Sequence, residues 1–299
     1  MARSARPFTP GGTLAGRPSG AARSDFWRHF RRSRNAVLGL AIVLCVTLVA
    51  ALAPWLAPHD HTDTNLLAVW APPSAEHPLG ADGLGRDILS RLVVGARVSF
   101  LIAVSVLAIT LTVGMTLGMI AGYLGRWADG AIMRVADIIF AFPELIFAIL
   151  VAAMLGPGTL TVIVALSIAW WPGIARLTRS LVLSLRAEPF VEAAVAVGTR
   201  PVAMLARHFL PNIVAPLIVR ASVGVGFIIM AEATLSFLGI GVQEPLPTWG
   251  GMIRDGLVAL RTDPYLALFA SLALAVTVIG FNLLGDGLRD VLDPRVRDQ

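Results

Sequence analysis

Apolar residues along this chain gather into six long runs: Ala36 to Leu56, Val98 to Ala121, Ala131 to Leu155, Thr159 to Ile174, Ile213 to Leu238 and Tyr265 to Leu284. One helical crossing of a bilayer takes about 17–25 such residues. In lipid, each segment must also satisfy its own backbone hydrogen bonds. The pattern therefore predicts an all-α polytopic membrane protein with six transmembrane helices, the fourth being the shortest. Pro143 inside the third run and Pro172-Gly173 at the end of the fourth mark expected kinks or ends. Gly114, Gly118 and Gly122, spaced by four on the second run, predict a ridge for close helix packing.

Between the fourth and fifth runs lies a different pattern. Pro189 suits a first helical turn, Glu192 sets a negative charge near its positive end, and Phe190, Ala193, Ala194 and Val197 recur at helical spacing. Gly198 can take the left-handed conformation that ends a helix, Thr199 can cap a second short one, and Pro211 is expected to close the unit before the fifth run. Helices this short do not persist alone in water. An apolar stripe on such a lever predicts docking into a groove on a partner protein.

Composition and charge narrow the class. Of 299 residues, 56% are hydrophobic and 14% charged, with mean hydropathy +0.76, against about 25% charged in soluble domains. Every basic residue is Arg. Eight precede the first run (Arg3, Arg6, Arg17, Arg23, Arg28, Arg31, Arg32, Arg34) against the single acid Asp25, which places the N-terminus in the cytoplasm. Six crossings return the C-terminus there. Arg176, Arg179, Arg186, Arg200 and Arg207 put the lever on the same side, whereas the turn Gly156-Pro157-Gly158 carries no charge. Ala51-Leu52-Ala53 looks like a cleavage site, but Pro54 should block it, so the first run is read as a retained helix. Without Lys the chain cannot build the phosphate-binding loop G-x-x-x-x-G-K-[ST]. The scattered arginines form no stripe for nucleic acid.

Glu192-Ala193-Ala194, Gly198 and Leu210-Pro211 resemble the cytoplasmic loop with which permeases of bacterial binding-protein-dependent ABC importers grip their ATPase. The general pattern has Ile two residues before Leu-Pro. His208 stands there instead, as is common in the dipeptide, oligopeptide and nickel branch. The runs His77-Pro78-Leu79-Gly80-Ala81-Asp82-Gly83-Leu84-Gly85-Arg86-Asp87 to Ser90-Arg91, Ala233 to Gly239 with Pro245 to Gly250, and Asn282 to Asp290 with Asp293-Pro294-Arg295 resemble the same branch, as do Phe26-Trp27 and Ala53-Pro54.

The resemblance implies a type I importer permease fold. It divides the chain into a cytoplasmic arm (1–35), a first helix and outer loop (36–97), a five-helix core (98–289) holding the coupling loop 187–211, and a tail (290–299). It implies as partners a homologous permease, two cytoplasmic ATPases that bind ATP and Mg, an extracytoplasmic solute receptor and the lipid of a bacterial inner membrane. No cofactor is expected on this chain and no covalent chemistry. An ion-coupled secondary transporter is the alternative, and Pro143 with Glu144 hints at it.

Charges at membrane depth are costly, about 2.5–3.5 kcal/mol each at a helix centre. Glu144 is accordingly read as lining a translocation path beside Pro143, or as a satisfied charge inside the bundle; Glu232 is read as structural. Trp170 and Trp171 fit an interfacial belt. In the outer loop, His59, Asp60, His61, Asp63 and His77 lack tight ligand spacing, so no metal site is expected.

Overall fold

The computed structural model describes residues 27–261 and 263–292. The arginines up to Arg23, with Asp25, Phe26 and Asp293-Pro294-Arg295, lie outside the described residues. Each apolar run becomes helix, with boundaries that move for identifiable reasons. Ser33 Oγ accepts from the Ala36 N–H at 3.3 Å and opens α1 (Arg34–Ala51). Pro54, which has no N–H to donate, belongs to a separate turn, Ala53–Leu56, so the first helix stops short of the predicted Leu56.

Asp87 opens α2 (Ile88–Leu124) by accepting from the Ser90 N–H at 2.8 Å, well before the predicted start at Val98. At about 1.5 Å per residue α2 is roughly 55 Å long, so its ends project beyond a hydrocarbon core of about 30 Å.

The third run is corrected from one helix to two. α3 (Arg126–Phe140) and α4 (Glu144–Leu155) meet at 89°. Pro143 is extended and stands at the cap of α4, since it cannot donate to the carbonyl four residues back. α4 alone, about 18 Å long, is too short to cross a bilayer. α3 is instead tied sideways to α5 (Thr159–Leu185): Arg179 pairs with Asp129, and Arg176 Nη2 lies 2.8 Å from Asp137 Oδ1 while its guanidinium sits 4.4 Å from the Phe140 ring.

α5 also departs from expectation, because it runs straight through Pro172 and past Ile174. Pro172 is buried, the setting in which membrane helices tolerate proline. The glycines of α2 face this helix. A Cβ on Gly114 would stand 2.8 Å from Trp171 O, one on Gly118 2.7 Å from Thr178 Cβ, and one on Gly122 2.8 Å from Val182 Cβ.

The lever helix α6 (Pro189–Ala196) leads into α7 (Leu210–Phe237), and α9 (Tyr265–Leu292) ends the described chain. Between them α8 (Trp249–Val258), which the apolar pattern did not predict, is capped by Thr248 Oγ1, which accepts from the Gly251 N–H at 3.1 Å. Trp249 Nε1 donates to Leu92 O at 3.1 Å and fastens α8 to α2. α1 and α9 pack through glycine as well: a Cβ on Gly39 would lie 2.9 Å from Gly280 O.

Candidate functional site

The lever begins with Pro189 in the first turn of α6 and ends on Gly198, whose φ is +81°. There the Gly198 N–H donates to Val195 O at 2.9 Å and the Thr199 N–H to Ala194 O at 3.0 Å, satisfying two of the carbonyls that a helix end leaves open. A Cβ on Gly198 would meet no atom within 4 Å. Its need for glycine is therefore conformational and not steric. Thr199 does not cap the next helix; Arg200 occupies that position, with no side-chain cap.

Nor does Pro211 close the unit. Pro201–Ala203 is helical, Met204–Phe209 winds as π-helix, and α7 begins at Leu210 without a break, with Pro211 in its first turn. Pro211 cannot donate to the carbonyl of Arg207, so a local change in winding lets the chain continue. The second half of the lever is thus a direct extension of a membrane helix.

One side of the lever is anchored. Val191 is buried with Val182 of α5 and with Met204 and Phe209, while Met119 and Tyr123 of α2 pack on the same cluster. The Tyr123 and Phe209 rings meet edge to face at 5.8 Å. The other side is open: Phe190, Val195, Val197 (86% exposed) and Val202 (77%) present apolar surface, and Glu192 and Ala193 are exposed beside them. Ala194 is half-buried against the anchor, so the predicted stripe of Phe190, Ala193, Ala194 and Val197 is split between two faces. The Phe190 ring lies 6.5 Å from that of His208. A cleft of about 560 Å³ runs between α6 and the end of α2, lined by Tyr123, Arg186, Glu192 and Val195. Val191, Met204 and Phe209 were missed in sequence, where their apolar character merges with that of the exposed stripe.

Deeper in the bundle, Glu144 lines a notch of about 20 Å³ together with Thr110 of α2, Trp170 of α5 and Arg220 of α7. That volume holds about one water. Both ionisable residues are exposed at its rim. Glu232, by contrast, is fully buried, with Ser99 Oγ and Ser236 Oγ each donating to it at 2.8 Å. The two acids thus differ in setting: one opens on a face of the bundle, the other is enclosed between α2 and α7.

At the opposite end from the lever, two segments far apart in sequence are joined by charge. Arg86 Nη1 donates to Glu244 Oε2 at 2.8 Å and its Nε to Asp82 Oδ2 at 2.7 Å, and Arg91 Nη2 donates to Glu244 Oε1 at 2.9 Å. Burial pushes the Glu244 carboxyl up, but the hydrogen bond from Arg86 and the charges of Arg91 and Arg86 outweigh it and hold it below its ordinary 4.5. Burial pulls Arg86 down, yet Glu244 and Asp82 keep it above its ordinary value.

Known proteins match this sequence along most of its length. The model of the family described as binding-protein-dependent transport system inner membrane component matches residues 114–298, and the N-terminal TM domain of oligopeptide transport permease C matches 23–73. The chain is 41% identical over 273 residues to the dipeptide transport system permease protein of Alkalihalophilus pseudofirmus, covering 91% of this chain and 90% of that one. It is 41% identical over 276 residues to the glutathione transport system permease protein of Pectobacterium atrosepticum, covering 91% of each. Against the oligopeptide transport system permease protein of Bacillus subtilis the identity is 40% over 273 residues, covering 91% and 90%. Its helices, its lever and these matches together place the chain in the binding-protein-dependent transport system inner membrane component family, as a membrane-embedded permease subunit of an ABC importer.

Proposed function

We propose that this permease pairs with a homologous permease chain to form the path for a peptide or a similar small solute. Delivery is by an extracytoplasmic receptor, and two cytoplasmic ATPases that bind ATP and Mg drive the cycle through the lever. The solute class follows the names of the relatives, which carry dipeptide, oligopeptide and glutathione transport. The arginines flanking the lever support a cytoplasmic position for it and for both termini. The bent α3–α4 pair is the kind of broken helix that ion-coupled carriers use, but membership of an ABC importer family assigns the energy source to an ATPase.

The observation that carries this reading is the two-sided lever. Its buried side locks Val191, Met204 and Phe209 onto the ends of α2 and α5, and its open side offers Phe190, Val195, Val197 and Val202. Exposed apolar surface of this kind marks a docking site. The second half of the lever continues into α7 from Pro201, and α6, across the Gly198 turn, is held to it by the packing of Val191 on Met204 and Phe209, so a push on the open edge is passed to the membrane helices through that cluster. The notch at Glu144 and Arg220 supports an open face that a second permease completes, since one water's volume is far too small for a peptide.

Val197→Asp tests the docking. We expect the ATPases to be lost from the purified assembly and uptake to fall at least tenfold, while the permease itself still inserts and pairs. Full ATPase retention with unchanged uptake would remove the lever from the mechanism.

A further inference from the structure

We propose that His59, His77 and Asp87 form a binding site for a divalent transition-metal ion, zinc by ligand preference, at the end of α2 remote from the lever. The potential ligand atoms all lie within 4.8 Å of one another. His77 Nδ1 is 3.1 Å from Asp87 Oδ1, and His59 Nδ1 is 3.8 Å from Asp87 Oδ2. Four-coordinate zinc, with bonds of about 2.0–2.2 Å, sets neighbouring ligand atoms roughly 3.3 Å apart. A small inward shift of His59 closes the set, and that side chain, 37% exposed, has room to make it. The two rings are tilted by 44° rather than stacked, with centroids 5.1 Å apart.

Three further features point to an ion. His59 Nδ1 is buried and has no hydrogen-bond partner, an arrangement that costs free energy until something ligates it. The Asp87 side chain is fully buried, and among the described ion pairs the nearby Arg86 and Arg91 go to Asp82 and Glu244, so beside the N-terminus of α2 that it caps, histidines are the ionisable groups that face its charge. Ser90 supplies the outer support: its N–H and Oγ donate to Asp87 Oδ2 at 2.8 and 2.7 Å, and its Oγ accepts from the His59 N–H at 3.0 Å. One residue therefore orients the carboxylate and holds the backbone of the remote histidine, which is how metal sites are usually braced. Two imidazoles and one carboxylate leave a fourth position for water, reached from the open side of His59. An ion here would staple the segment after the first helix to the start of α2.

Spacing along the chain hid this set because its third member, Asp87, is the helix cap of α2 and only the fold brings it to the two histidines. The competing description is a His77–Asp87 hydrogen bond with His59 merely adjacent, and it predicts a different result. The untagged full-length chain in detergent, stripped with a chelator, is titrated with zinc alone. We expect one ion per chain and a zinc-dependent rise in Tm. His59→Ala should weaken binding at least about tenfold and abolish the rise in Tm while keeping the metal-free Tm, since its ring makes no hydrogen bond to lose. His61→Ala, two positions on, should bind like the parent. Absence of stoichiometric binding, or equal affinity in His59→Ala, would overturn the site. Neither result bears on ATPase docking.

Discussion

Gly198 is required by its backbone conformation and not by lack of space. Its φ of +81° lies where a Cβ costs roughly 1–2 kcal/mol, yet the space around it is open. Gly198→Ala should therefore loosen the lever by about 1 kcal/mol, and Gly198→Asn by less, because Asn enters the left-handed region more readily. Hydrogen exchange at residues 190–198 would report it, and equal protection in Ala, Asn and wild type would contradict the backbone argument. Glu232 makes the complementary case. Two serine hydroxyls from different parts of the bundle depend on it. Glu232→Ala strands both in a dry interior, at about 1–3 kcal/mol for each unsatisfied group, whereas Glu232→Gln keeps an acceptor. Thermal unfolding in detergent should rank wild type, Gln and Ala in falling order.

At the scale of elements, local pattern carried much and failed where distance along the chain intervened. The six runs were legible because apolar length alone defines a membrane helix. The spacing of Gly114, Gly118 and Gly122 was legible because four-residue recurrence is a property of one helix. Gly118→Leu should accordingly separate α2 from α5, where Ala175 and Thr178 fill the space, and lower Tm by several degrees, while Gly130→Leu, with nothing near it, should not. A matching loss at both positions would deny the packing role. The 89° break between α3 and α4, the passage of α5 through Pro172 and the unbroken run from Pro201 into α7 were not legible. Each depends on what lies beside a proline, and a proline in sequence signals a disturbance without saying whether neighbours absorb it. The tie from Arg86 to Glu244 was hidden for a related reason: charges 158 positions apart give no local signal.

For the whole molecule, the two ends face different tasks and respond to different conditions. At the end away from the lever, Glu244 has a folded pKa held below its ordinary 4.5. Its contribution to stability is fully present above that value and is lost as pH falls through the lower folded value. Glu244 is partly exposed, so solvent screens the effect and its size should stay within about 1 kcal/mol. The difference in Tm between wild type and Glu244→Gln should shrink as pH falls below 4.5, and a difference that does not shrink there would contradict the linkage. At the lever end, the exposed apolar edge on α6 is coupled to α7 by the packing of Val191 on Met204 and Phe209.

Cys45 is the chain's only cysteine, so Cys45→Ser with Val197→Cys leaves one thiol, on the open edge of the lever. Cross-linking from that thiol in native membranes is the most direct measurement. The account predicts a covalent adduct with the ATPase subunit whose yield changes with ATP, and protection from impermeant reagents added outside. A thiol labelled from outside, or one that forms no adduct with the ATPase in any nucleotide state, would contradict it.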